Sequence, residues 1–334
     1  MQKAAVVILN YNGKEMLRKF LPSVISHSQF EIIIADNASN DGSVEFVKSE
    51  FPGLTLLSFS ENSGFTGGYN KALSQLEGGF EYYILLNSDV DVSPGWDKDL
   101  IDWLDRKSEY AALQPKILSF QNPDFFDYAG AGGGFIDSLG YPYCRGRIFS
   151  TIEKDEGQYN NEIQVDWASG ACMAIRASVF HEVGGFDSRF FAHMEEIDIC
   201  WRIRSKGYKI GYLGGVKVWH VGGATLSRSN PFKTHLNFRN NLLMLHKNTS
   251  KKRFIKIYLF RVILDAIAAL SFLLNGNIQD SKEVLKAHLA FHKMKNSGNK
   301  HVLASKLPEQ ISIRRKRSIL WDYFIRGQKT FGKI

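Results

Sequence analysis

The sequence predicts an α/β fold: a mostly parallel central sheet flanked by helices, followed by a helical, basic C-terminal extension. Three observations carry this. Short aliphatic runs alternate with helix-patterned stretches through the first half of the chain, and such alternation implies parallel strands joined by right-handed crossovers. Each run ends in a cluster of Asn, Asp, Ser or Gly, as at the carboxyl edge of an open sheet, where α/β folds bind ligands. Finally, the net charge of +8 is unevenly distributed. Residues 247–334 carry 19 Lys/Arg against 5 Asp/Glu, while the preceding 246 residues have a deficit of 6.

In order, Ala4 to Leu9 reads as a buried strand and Gly13 to Ser26 as a helix with Leu17, Phe20, Leu21 and Val24 inward. Glu31 to Ala35 is the next strand, Asp41 to Ser49 a helix, and Leu54 to Phe59 a third strand. A Gly-rich turn and a helix around Asn70 to Leu76 lead to the fourth strand, Tyr82 to Leu86. That run stops at Asn87-Ser88-Asp89-Val90-Asp91. If the chain stays extended there, Asp89 and Asp91 point the same way, and two adjacent carboxylates call for a cation or a proton. A hard divalent ion bridging to a phosphate meets that need, and a solvated turn before Ser93-Pro94-Gly95 is the alternative.

Polar clusters also close the other runs: Asn10-Tyr11-Asn12, Asp36-Asn37-Ala38-Ser39, and Glu61-Asn62 through Gly67-Gly68. Asn, Asp, Ser and Gly are what turns require, but turns do not require convergence on one edge. Asp36 is suited to accept the imide N–H of a pyrimidine and Tyr11 to stack on its ring. The Gly64 to Gly68 run is not G-x-G-x-x-G, and no acidic residue follows at ribose distance, which disfavours a dinucleotide fold. Gly130 to Gly134 reads as a mobile loop beside the site.

A second acidic group, Glu195, Glu196 and Asp198, opens a helix that buries Ile199, Trp201 and Ile203. Acids in a first turn suit the helix dipole. Three of them behind an aromatic, Gly-rich approach also suit a general base, because neighbouring carboxylates raise one another's pKa. His220 closes the apolar stretch Val216 to Val218, where an imidazole can reach a metal. Cys144, Cys172 and Cys200 show no C-x-x-C spacing. They read as buried apolar residues in a reducing cytosol. The first apolar run is too short for a signal peptide and lacks a cleavage site.

Taken together, these pieces resemble the family 2 glycosyltransferases of the GT-A fold, in the branch that includes bacterial rhamnosyltransferases. The matching segments are Val6 to Gly13, Asp36 to Ser43, Asn62 to Asn70, Leu86 to Asp89, Ser169-Gly170-Ala171, and Glu195 to Arg202. The resemblance implies a catalytic domain over residues 1–246, a nucleotide-diphosphosugar donor (UDP- or dTDP-linked), Mg2+ or Mn2+, and inversion at the anomeric carbon. It assigns Asn10, Tyr11, Asp36, Asn62, Gly68, Asn87 and Ser88 to the nucleotide-sugar, Asp89 and His220 to the metal, and Glu196, with Glu195 as the alternative, to the base. Asn87 departs from the family by replacing the first Asp of its D-x-D motif, and Glu replaces the more usual Asp at the base position. Asp91 falls outside the motif. The acceptor implied is a hydroxyl of a cell-surface glycan or a lipid-linked sugar. A nucleotidyltransferase, or an inactive binding subunit in glycan assembly, is the alternative reading.

In residues 247–334, Phe254 to Leu274 is apolar but carries Lys256, Arg261 and Asp265, which makes it a poor spanning helix. Arg261 and Asp265 lie one turn apart and can pair. With Lys251-Lys252-Arg253 and Arg314-Arg315-Lys316-Arg317 it reads as an interfacial helix on an anionic membrane. That places the protein in the cytoplasm, peripheral on the inner face of the cell membrane. The alternative is an appendage packed on the catalytic domain or on a second subunit, as in a homodimer. His288 and His292 read as part of a solvated helix with no carboxylate nearby, and no nucleic-acid motif accompanies the basic residues.

Overall fold

The computed structural model describes residues 1–127, 130–222, 230–297 and 317–334. The strands are β1 Gln2–Asn10, β2 Glu31–Asp36, β3 Thr55–Ser58, β4 Phe80–Asn87, β5 Val90–Val92 and β6 Tyr110–Ser119. Four short strands follow: β7 Gly134–Ile136, β8 Pro142–Cys144, β9 Arg147–Ile148 and β10 Thr151–Ile152. The last three are β11 Glu162–Val165, β12 Cys172–Arg176 and β13 Lys209–His220. The helices before the acidic segment are α1 Lys14–His27, α2 Ser43–Glu50, α3 Gly64–Gln75, α4 Trp96–Arg106 and α5 Ala177–Glu182. Then come α6 Glu195–Ser205, α7 Pro231–Asn248, α8 Lys251–Leu274 and α9 Ile278–Met294.

The main sheet runs β11-β13-β6-β12-β4-β1-β2-β3, with β5 on β13. Its N-terminal half, β4-β1-β2-β3, is wholly parallel. β12 is inserted antiparallel between β4 and β6. Side chains alternate across a strand, and here the alternation fills two cores. Val7, Tyr83 and Leu85 face one core, and Val6, Ile8, Ile84 and Leu86 face the other, against α1 and α4. Full burial of each such aliphatic side chain stabilises the fold by about 1.5–3 kcal/mol.

Several expectations change. The helix expected around Asn70 to Leu76 begins at Gly64, so the Gly-rich run forms its first turns. A Cβ on Gly68 would come within 2.7 Å of Leu9, so this glycine lets α3 lie close on the end of β1. The Gly130–Gly134 stretch is not a loose loop. Gly130 packs on Ser169, its carbonyl accepts from Gln114 Nε2, and Gly134 enters β7 against Trp167.

Asp91 does not join Asp89. A tight turn at Ser88-Asp89 separates β4 from β5, and Asp91 accepts from Ser23 Oγ at 2.5 Å instead. All three cysteines are buried free thiols.

By length and composition alone, α8 is long and apolar enough to cross a membrane. Its two mid-helix charges, however, face inward. Arg261 and Asp265 pair at 3.2 Å while 2% and 1% exposed, and Arg261 lies over the Tyr141 ring. Turning that pair toward lipid would cost on the order of 3 kcal/mol per charge.

His288 is not simply solvated, because its Nε2 lies 3.0 Å from Asp265. His292 Nε2 likewise meets Tyr258 Oη at 2.7 Å. Arg314, Arg315 and Lys316 of the expected basic cluster lie outside the described residues.

Candidate active site

At the carboxyl edge of the parallel strands, the loops after β1, β2 and β3 are hydrogen-bonded to one another. Asn10 Nδ2 donates to Asp36 at 2.9 Å and to Ser39 Oγ at 3.1 Å. The other Asp36 oxygen accepts from Ser39 N. Asn37 donates to Asn62 Oδ1 and Gly64 O, and accepts from Ser63 N. Asn10 and Asp36 are buried, whereas Tyr11 is 38% exposed, with its ring available for stacking. Asn62 is exposed at the rim. Gly68 lies beneath this layer and acts through close packing. Ser88 reaches the same corner, since a Cβ on Gly13 would lie 2.4 Å from Asn10 Oδ1 and 3.4 Å from Ser88 Oγ.

Strand register brings Asp89 and His220 together. β5 pairs with β13 so that Val90 lies opposite His220, and Val221 N donates to the Asp89 carbonyl. His220 Nε2 is then 3.2 Å from Asp89, and the Asn87 amide lies 3.4 Å from the same nitrogen. The other ring nitrogen, Nδ1, contacts Asp127 at 2.9 Å. Burial pulls the imidazole pKa down, but the Asp89 and Asp127 carboxylates outweigh it and hold it at about 10. Asp127 was not foreseen. It lies with Asp124 in the turn after β6, and no spacing in the sequence ties it to a histidine 93 residues later.

This donor set fits a divalent cation, which would displace the proton that the Asp89 and Asp127 carboxylates keep on His220. A buried carboxylate and an imidazole nitrogen face one another, and a second carboxylate orients the ring, as in carboxylate–histidine–metal arrangements. Among the described residues, no group of three or more His, Cys, Asp or Glu converges as a metal cage. An ion at Asp89 and His220 would therefore complete its shell from substrate phosphates and water, as magnesium commonly does.

The acidic segment has a different character. Phe191, His193 and Met194 all take positive φ, at 63°, 68° and 70°. Non-glycine residues rarely adopt that region, and such strain gathers at functional sites. Asn240 Nδ2, from α7, holds the segment by donating to the carbonyls of Phe190, Ala192 and His193 at 2.8–2.9 Å. Neither the strain nor this brace has a sequence signature.

One oxygen on each of Glu195 and Glu196, and Nε2 of His193, are buried without a hydrogen-bond partner. Burial raises Glu196 to about 7. Burial, and then the Glu196 charge, raise Glu195 well above the carboxylate range. Burial, helped by the Lys233 charge, lowers His193 to about 4. Asp198 plays a structural part, because it pairs with Arg202 at 2.9 Å and Lys247 at 2.8 Å.

Glu196 adjoins the Asn87–His220–Asp89 cluster through the residues just before β12. A Cβ on Gly170 would lie 3.9 Å from Glu196 Cβ and 3.1 Å from the Phe65 ring. The next residue, Ala171, accepts from Asn87 N at 3.0 Å. From Glu196 the contacts thus run through Gly170 and Ala171 to Asn87, His220 and Asp89. Glu195, at 5% exposure, is the more enclosed of the two acids.

The family model for glycosyl transferase family 2 matches residues 5–184. The chain is 30% identical over 233 residues to an N-acetylglucosaminyl-diphospho-decaprenol L-rhamnosyltransferase of Mycobacterium tuberculosis, covering 64% of this chain and 75% of that one. It is 22% identical over 260 residues to the rhamnosyltransferase WbbL of Escherichia coli K12, covering 75% of this chain and 97% of that one. Among solved structures, GalNAc-T7 with UDP, GalNAc and Mn2+ superposes with a TM-score of 0.56 at 15% identity. That match covers 74% of this chain and only 48% of GalNAc-T7, so the chain spans about half the length of that protein. The likeness is one of fold, and the fold is GT-A.

Proposed function

Because the chain belongs to glycosyl transferase family 2 and resembles its rhamnosyltransferases, we propose that it transfers rhamnose or another hexose, with inversion, from a UDP- or dTDP-linked donor. The acceptor is a hydroxyl of a growing cell-surface glycan or a lipid-linked sugar, met from the cytoplasm at the inner face of the cell membrane. The name of the Mycobacterium relative, which specifies a diphospho-decaprenol sugar, supports the lipid-linked alternative.

The observation that carries the reading is Glu196. It is a carboxyl raised to about 7, with an unpartnered oxygen, joined to the Asn87–His220–Asp89 cluster through Gly170 and Ala171. Tyr11 stacks on the base, and Asp36, held by Asn10 and Ser39, accepts its imide N–H. Asn87 and Ser88 border the diphosphate. Asp89 and His220 would hold Mg2+ or Mn2+, which would supply Lewis-acid neutralisation of the departing diphosphate. Glu196 removes the acceptor hydroxyl's proton as that oxygen attacks the anomeric carbon from the opposite face.

Thermal-shift screening of nucleotide-sugars with and without Mn2+ tests the reading, since a ligand that binds the native state raises its melting temperature. UDP- or dTDP-sugars should stabilise the protein, more strongly with the metal. If no nucleotide-sugar shifts it under either condition, the proposed function is wrong.

A further inference from the structure

Helix α8 has the reverse polarity of a water-exposed helix. Its inward stripe carries the Arg261–Asp265 ion pair, joined by Asn241 and His288. Its outward face carries Leu259, Phe260, Ile263, Ile267, Leu270 and Leu274, from 54% to 78% exposed. The neighbouring α9 adds Ile278, Leu285 and Leu289 at spacings of seven and four, which place them on one face. Trp321, Phe324 and Ile325 are exposed as well. Their segment is moored to the turn that α8 packs on, because Asp137 accepts from Ile319 N and from Tyr141 N. Fifteen of the twenty-two large apolar side chains exposed among the described residues lie in residues 255–289 and 321–325. A patch of that extent marks an interaction surface.

The rim decides the occupant. Lys251, Lys252, Lys256, Lys282 and Lys293 are exposed around the apolar face. The acids of α8 and α9 are already engaged: Asp265 inside, Asp280 by Thr234, and Glu283 by His235 and Lys286. A second copy of the chain would bring a lysine rim to a lysine rim with few acids to answer it. Anionic lipid phosphates around an acyl interior match both the charge and the polarity. A span is excluded by the inward stripe, since Phe254, Ile257, Arg261, Asp265 and Ala269 are buried against the protein.

We propose that the outer face of α8, with the leucines of α9, is embedded in one leaflet of an anionic bilayer, so that the enzyme is held by apolar insertion and only assisted by its lysines. This deepens the proposed function by naming how the enzyme meets the membrane, and it rests on that reading only for the acceptor.

The test is flotation of the full chain with vesicles of phosphatidylcholine containing phosphatidylglycerol. Binding should persist in about 1 M salt, where charges are screened beyond about 3 Å. The triple variant Leu259→Glu, Ile263→Glu, Ile267→Glu changes only exposed side chains and should weaken binding by at least about 100-fold. Lys256→Gln should weaken it about fivefold.

Release of the wild type by salt, with the triple variant unchanged, would overturn the proposal in favour of electrostatic attachment. A protein that ignores vesicles and runs as a dimer by light scattering would overturn it in favour of a second copy. Thermal shift with soluble nucleotide-sugar, run without vesicles, keeps the two readings apart. If that shift is retained while flotation fails, only the insertion proposal is lost.

Discussion

The two sides of the site are built on opposite principles. On the donor side, Asn10, Asp36 and Ser39 are bonded to one another, Asn37 ties in Asn62 and Gly64, and both Asp36 oxygens accept hydrogen bonds, leaving the neutral Asn10 Oδ1 unpartnered. On the acceptor side, three strained residues lead to two acids that each leave an oxygen unpartnered. A carboxylate with both oxygens bonded stays ionised and fixes shape, whereas an unsatisfied buried carboxyl favours holding a proton. In the proposed function the first side recognises the donor and the second moves a proton, so variants on the two sides should fail in different ways.

The largest effect is expected from Glu196→Gln. It should lower transfer by about 10²–10⁴-fold, the usual contribution of a general base, and leave donor binding by calorimetry unchanged. Glu195→Gln should cost less, because Glu195 is more enclosed. Next is Asp127→Asn, which removes the charge behind His220. It should weaken Mn2+ affinity by roughly 10–100-fold, read by direct Mn2+ titration.

Asn240→Ala takes away the brace on the Phe190–His193 carbonyls. It should lower kcat about tenfold, as small misplacements of a reacting group do. It should also bring the pKa seen in the rate profile down toward the ordinary carboxylate range as water reaches Glu196. The smallest catalytic effect belongs to Asn37→Ala. It should destabilise the fold by about 2 kcal/mol in denaturant titration through its lost buried hydrogen bonds, without moving that pKa.

Sequence and structure agree best where chemistry is local. The strands ending at Asn10, Asp36 and Asn87 were legible because aliphatic runs bounded by Asn or Asp leave little choice of element. The start of α3 was obscured because Gly67 and Gly68 look like a turn, while their use here is close approach to Ser63 and Leu9. The Arg261–Asp265 pair could be read from its one-turn spacing, but not the direction it faces, which Tyr141 and His288 decide from distant parts of the chain. Asp127 and Asn240 reach the site only through tertiary structure. The positive φ values at Phe191, His193 and Met194 contradict local preference and so could not be inferred from it.

The pH dependence of kcat/KM, at saturating metal, bears most directly on the assignment of Glu196. A base must be ionised to work, and burial raises this carboxyl to about 7. Activity should therefore rise with pH, reach a plateau above about pH 8, and fall about tenfold per unit below the midpoint near 7. In Glu196→Gln that limb should vanish from the residual rate. A wild-type profile flat from about pH 5 upward, or the same limb persisting in Glu196→Gln, would contradict the account.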